Sequence, residues 1–331
     1  MSDFFSGILN TIYSVVNNYG WTIVIFTILI KLLLTPFDFK SRKSMRRMEK
    51  FQPKLNELQQ KYANDKEKLQ KKQAELYKKE GINPLGSCLP MLLTFPVIFI
   101  MFGAMRGMAN RELAQSLLTI QHAIEGLTDP EAIRAALPPI SELAEPFLWI
   151  KNIWVADSPF TSMLPNAASA LNALGKSIAG VVDEEGMTAL KVFIDSDVYQ
   201  SIVLPHFGAM PMAGAENISL ILFSVTLFRN PNGFLILPLL SFITQMLSTS
   251  LTPQPAAQQT GKDGQPAPGG GNLMKWGMPL FMVWIVITSN SAFAIYFVAS
   301  NVVMLAQQLL FKKYFEFQDA RALAVKEVNR L

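Results

Sequence analysis

The sequence predicts an all-α membrane protein with five transmembrane helices, a cytoplasmic helical hairpin and an enlarged extracellular loop region. Three observations carry that prediction. Half of the 331 residues are hydrophobic and only 16% are charged, whereas soluble domains carry about a quarter. The apolar residues gather into runs of roughly the length a bilayer requires. The charge is segregated: residues 38–83 hold 14 Lys/Arg against 7 Asp/Glu, and residues 106–232 hold 7 against 13. The formal net charge of +4 is too small to indicate nucleic-acid binding by bulk charge.

Residues 1–20 come first. Phe4, Phe5, Ile8, Leu9, Ile12 and Val16 have helical apolar spacing with Ser, Asn and Thr between them, which suits an amphipathic helix lying in the interface. The first span is 21–37, nearly all apolar, with Trp21 at its edge and Lys31 inside it. Residues 38–83 form the basic hairpin. Met48, Phe51, Leu55, Leu58 and Tyr62 alternate three and four apart, a seam for one partner helix. Asn64 with Glu67 predicts a capping box for the second arm, and Pro53 a kink in the first.

The second span is 84–105, containing Pro90 and Pro96, residues tolerated where neighbouring helices satisfy the freed carbonyls. The acidic region 106–232 follows. Its apolar run Ile218–Phe228 is too short to span and belongs with a small inserted domain in 160–232. The third span is 233–251, and 252–271, rich in Pro, Gly and Gln, is a flexible cytoplasmic linker. The fourth span is 272–288, the fifth 289–311, and the cytoplasmic tail 312–331 opens with Lys312 and Lys313. Positive charge favours the cytoplasmic side, so the hairpin and C-terminus lie inside, and the N-terminus and acidic region outside.

Lys31 is the principal candidate for function. An ionisable residue in a span tends to face a wet cavity, and Thr27 and Thr35, four residues away on either side, share its helical face. The plainer alternative is that Lys31, about 10 Å from Asp38 along the helix, snorkels to the interface. Gln245, with Ser241 and Thr244, and Asn301 and Gln308, with Ser300 and Gln307, place polar groups inside the third and fifth spans. These line the same cavity or make ordinary interhelical hydrogen bonds. Met274, Met278 and Met282 recur every four residues, which suits core packing.

The motifs of other function classes are weak. Ala170-Leu-Asn-Ala-Leu-Gly175-Lys176-Ser177 fits a relaxed phosphate-loop pattern, but in an external segment with no strand before it. His122 and His206 are isolated, and Asp195 and Asp197 read as a solvated edge. One cysteine, Cys88, excludes an internal disulfide. No catalytic residue, cofactor or metal site is expected, and no ordinary signal peptide.

In order along the chain stand Thr27-Ile-Leu-Ile-Lys31-Leu-Leu-Leu-Thr35-Pro36, Phe51-Gln-Pro-Lys-Leu-Asn-Glu-Leu58 and Asn83-Pro-Leu-Gly-Ser-Cys-Leu-Pro90. Phe147-Leu-Trp-Ile150, Tyr296-Phe-Val-Ala-Ser-Asn301 and Gln307-Gln308 follow. This series resembles the YidC/Oxa1/Alb3 family of membrane protein insertases over about two thirds of the chain, with the Asn83–Pro90 stretch the most specific part. The resemblance implies a five-helix insertase core in a bacterial plasma membrane, moving nascent proteins from cytoplasm to bilayer through a polar groove. It also implies action as a monomer, with ribosome, Sec translocon and membrane lipids as partners, and no specific nucleic acid. It assigns substrate contact to Thr27 and Phe297. The family usually has arginine where this chain has Lys31, and commonly tyrosine where it has Phe297. The extra N-terminal span and large periplasmic domain of Gram-negative members are not seen, nor is the lipid-anchor cysteine of many Gram-positive ones, so the resemblance implies a Gram-positive-type member without that anchor. The rival is a small ion or solute transporter or channel using Lys31.

Overall fold

The computed structural model describes residues 2–81, 89–174, 182–213, 218–219, 224–252 and 276–328. Its regular secondary structure there is helical apart from one pair of two-residue strands. In order come α1 (Ser2–Val16), α2 (Tyr19–Lys61), α3 (Lys66–Lys79), α4 (Leu89–Ala123), α5 (Pro130–Ala136), α6 (Ile140–Leu143), α7 (Ala167–Leu174) and α8 (Glu184–Asp195). A π-helical turn (Tyr199–Val203) and α9 (Leu204–His206) precede antiparallel β1 (Ile218–Ser219) and β2 (Ser224–Val225). Then follow α10 (Ile236–Leu251), α11 (Met278–Thr288) and α12 (Ser291–Val328). Among the described residues, α2 and α12 are long and apolar enough to cross a membrane. The chain divides into two compact units, one of residues 1–26, 99–241 and 283–298, the other of 27–98, 242–282 and 299–331.

Helix boundaries depart from those read off composition. Composition changes sharply at Asp38, but α2 continues unbroken to Lys61 with Pro36 and Pro53 inside it. Lys, Arg, Glu and Gln are good helix formers, so a change of solvent does not by itself end a helix. In the same way α4 runs past Met105 to Ala123, and α12 past Phe311 to Val328. The cap of α3 is Asp65, whose carboxylate accepts from Lys68 N at 3.0 Å, one residue later than the capping box read from Asn64 and Glu67. A carboxylate at that position also complements the helix dipole.

In the first unit the extension of α4 provides one wall of a core. Ala114, Leu117 and Ile120 are fully buried with Ile133 of α5, Leu143 of α6, Leu174 of α7 and Leu190 and Ile194 of α8. Tyr199 is fully buried, its ring edge-on to Phe193 and its hydroxyl donating to Pro165 O at 2.7 Å. The apolar triplet 192–194 therefore lies on a helix, with Val192 outward. The apolar run beginning at Ile218 supplies β1 and β2.

Long-range clasps fix the loops of this unit. Phe147 and Ile150 exchange backbone hydrogen bonds of 3.0 and 2.9 Å around a two-residue turn, with Leu148 at φ 55°. The Phe147 ring lies where any Cβ at position 20 would stand, so Gly20 is required for this approach. Asp157, 3% exposed, accepts from Phe234 N (2.8 Å) and Leu237 N (2.6 Å) at the start of α10, where the helix dipole favours an anion.

Two carboxylates of the same unit are held against their preference. Burial, and then the charge of Glu145, push the Glu112 pKa up. Burial also raises Glu145, against a hydrogen bond of 3.4 Å from the Tyr13 hydroxyl. Raised acids favour the protonated form in the fold, so their contribution is present at acid pH and lost as pH rises through the folded pKa. We expect the detergent-solubilised protein to melt higher at pH 5 than at pH 7.5, and Glu112→Gln to raise Tm by about 2 °C at pH 7.5 and flatten that slope. A variant with an unchanged pH slope would show that Glu112 does not carry it.

Candidate functional site

The second unit inverts the distribution of a soluble protein. On α2, Leu29, Leu32 and Leu33 are 52%, 58% and 70% exposed, while Thr27 is 0% and Lys31 7%. Apolar groups face out and polar groups face in, as lipid solvent requires. Thr35 donates its hydroxyl to Lys31 O at 2.9 Å, and Gln307 of α12 donates its amide to Thr35 Oγ1 (2.8 Å) and to Lys31 O (3.3 Å). The backbone around Lys31 is therefore held by two side chains. Its ammonium has no hydrogen bond or ion pair with any described residue. The charges that act on it are those of Asp38 and Arg42.

Polar rungs join α10 to α12. Asn301 donates to Thr244 Oγ1 at 3.3 Å, and Gln308 donates to Ser248 Oγ at 2.7 Å and Thr252 Oγ1 at 3.3 Å. Gln308 is 4% exposed and its Oε1 has no donor. Gln245 is half-buried on the same helix as Ser248. Of the candidates, then, Lys31 and Thr35 meet through Gln307, whereas Asn301 and Gln308 meet α10. Ser248 and Thr252 were not singled out from sequence. The signal was present: Ser241, Thr244, Ser248 and Thr252 repeat at three, four and four residues, one helical face.

Phe297 belongs to the first unit, 5% exposed and parallel to Phe293 at 6.3 Å, with Phe102 edge-on to Phe293 at 5.3 Å. Of the methionine series, Met282 is buried, as core packing demands; Met274, like the linker 253–271, lies outside the described residues. Asn83–Cys88 of the Asn83–Pro90 motif and Gly175-Lys176-Ser177 are also outside them. Ala170 and Leu174, the start of the phosphate-loop pattern, are core residues of α7. No cluster of three or more metal-ligating side chains occurs among the described residues.

At the hydrophilic end of the second unit, α12 packs on α2. Phe39 meets Phe311, Tyr314 and Phe315 at 5.3–5.6 Å, and Asp319 accepts from Arg46 (2.7 Å) and Lys50 (3.2 Å). Met48 and Leu55, from the predicted seam, are both 1% exposed.

Known proteins are similar to this chain in sequence. A "Membrane protein insertase YidC" of Fusobacterium nucleatum is 47% identical over 106 residues, covering 32% of this chain and 52% of the relative. Proteins of the same name from Helicobacter pylori and Syntrophus aciditrophicus are 37% identical over 113 residues and 48% over 97. Those alignments cover 34% and 29% of this chain, but only 21% and 18% of the relatives. The chain thus matches about half of the first relative and about a fifth of the other two. The model of the family described as "60Kd inner membrane protein" matches residues 11–319, and over that length, with its helices apolar outside and polar within, the chain belongs to this family, the YidC/Oxa1/Alb3 family.

Proposed function

We propose that the chain is a membrane protein insertase of the bacterial plasma membrane. The observation that carries this reading is Lys31, 7% exposed within an apolar helix and without an ion pair among the described residues, backed by polar rungs from α10 and α12. A charge in a span is worth about 2.5–3.5 kcal/mol against insertion, so it persists where a polar ligand visits it. Lys31, Thr27, Thr35, Gln245, Asn301 and Gln308 line a polar groove open to cytoplasm and lipid, and Phe297 of the first unit is a separate client contact. The groove shortens the apolar path that a client's hydrophilic tail must cross. Lys31 attracts an acidic tail, and the client's apolar segment moves into lipid through its own burial, at about 25 cal/mol per Å2. No catalytic step or cofactor is needed.

In this reading the spans are 21–37, 84–105, 233–251, 272–288 and 289–311, with the N-terminus outside and the C-terminus cytoplasmic. The hairpin 38–83 meets nascent chains, the ribosome, the Sec translocon or anionic headgroups. Reconstitution tests the proposal. Proteoliposomes with the purified chain are expected to insert a single-span client, and to lose that activity when residues 42–79 are replaced by a short linker. Ion or solute flux without insertion would establish a transporter instead. Normal insertion by the deletion variant would reduce the hairpin to a topology signal.

A further inference from the structure

A cavity of about 430 Å3 lies in the second unit beside the ends of the apolar stretches of α2, α10 and α12. This is within the range of sites for small molecules. Its walls differ in kind. Arg42, Arg46 and Lys312 line it, as do Glu49 and Glu316. Arg46 is engaged by Asp319 at 2.7 Å, which leaves Arg42 and Lys312 as cations without an ion pair among the described residues. The other wall is apolar and outward: Leu251 and Leu309 line the cavity, 37% and 50% exposed.

The polar floor is Gln308 with Thr252. Thr252 donates its only hydroxyl proton to Ser248 O at 2.9 Å, so its oxygen can only accept from Gln308. The Gln308 amide is thereby oriented with its NH2 toward Thr252 and Ser248, and its Oε1 is left buried without a donor. A buried acceptor of this kind calls for an explanation.

A ligand that satisfies these walls carries a phosphate for Arg42 and Lys312, N–H donors for Glu49, Glu316 and the Gln308 acceptor, and acyl chains along Leu251 and Leu309. We propose that this cavity holds the headgroup of a phospholipid with a primary ammonium, such as phosphatidylethanolamine, at the cytoplasmic surface. Phosphatidylcholine has the same charges but no N–H, so it meets the cations and leaves the acceptors unfilled. A soluble phosphate–ammonium compound shares the headgroup chemistry but has nothing to lay on the apolar wall. The inference uses the membrane placement proposed above and is independent of insertion activity.

Native mass spectrometry of the whole chain in detergent, titrated with dioleoyl phosphatidylethanolamine or dioleoyl phosphatidylcholine, reads it directly. Wild type is expected to retain the ethanolamine lipid about tenfold more tightly. Arg42→Gln should weaken both lipids about fivefold, the effect of one cation at a headgroup. Glu49→Gln with Glu316→Gln should cut the preference about threefold, the Gln308 acceptor keeping the remainder, and an unaltered melting temperature certifies the fold. Lys191→Gln, exposed on α8, is the control and should change nothing. Equal retention of the two lipids by wild type, or an undiminished preference in the double variant, overturns the proposal. Displacement of the lipid by equimolar phosphoethanolamine overturns it in favour of a soluble-ligand site.

Discussion

Replacing Lys31 with alanine is expected to reduce insertion of a client with an acidic N-terminal tail at least tenfold, whereas Lys31→Arg should retain most of it. The asymmetry follows from what position 31 supplies. Its side chain is 7% exposed and its backbone is held by Thr35 and Gln307, so alanine removes the charge without dissolving the helix around it. Two opposite charges about 4 Å apart at an effective dielectric of 20 interact by about 4 kcal/mol, and tenfold needs only about 1.4 kcal/mol of that. Arginine keeps the charge at this position. The assay is protease protection of the client in proteoliposomes, with a neutral-tailed client alongside. That second client should lose less than the acidic one. Equal yields from wild type and alanine variant with the acidic client would remove Lys31 from the mechanism.

The same residue shows how much could be read in advance. Thr27, Lys31 and Thr35 are four apart, so their shared face is a matter of helix geometry, and the structure places Lys31 and Thr27 inward and Leu29 and Leu33 outward. The pairing of Gln307 with Thr35 could not be read, because it joins residues 272 apart and depends on which face of α12 turns toward α2. Boundaries at Phe37, Met105 and Phe311 came from composition. They mark where composition changes, while the backbone continues. The acidic region 106–232 was legible as polar by charge. Its packed helices were harder to see, since Leu117, Ile120, Leu190 and Ile194 are dispersed in sequence and converge only in the fold. Least legible were single polar residues that tie distant loops, of which Asn232 is the strongest case.

Asn232→Ala is expected to destabilise the protein by about 3 kcal/mol, lowering Tm by roughly 6–10 °C. Asn232 is 0% exposed, and its side chain works in both directions. Its Oδ1 accepts from Asn152 N at 2.9 Å, and its Nδ2 donates to Asn152 O, Val155 O and Ala156 O at 2.9–3.2 Å. The three carbonyls keep other partners: Val155 N for Asn152 O, Ser291 for Val155 O, and the Thr161 hydroxyl for Ala156 O. Alanine therefore leaves one orphan, the N–H of Asn152. An unsatisfied buried donor costs about 1–3 kcal/mol, and the lost amide bonds add to it. Aspartate provides the sharper test. It has nearly the same shape and preserves the acceptor for Asn152 N, but it turns a second oxygen toward three carbonyl oxygens that present no proton. Burying that charge without a donor is at least as unfavourable as the alanine cavity. Asn232→Asp should accordingly melt no higher than Asn232→Ala at pH 7.5, measured by intrinsic tryptophan fluorescence in detergent. An aspartate variant that melts with the wild type would show that the donor half of the side chain contributes nothing to holding residues 152–156.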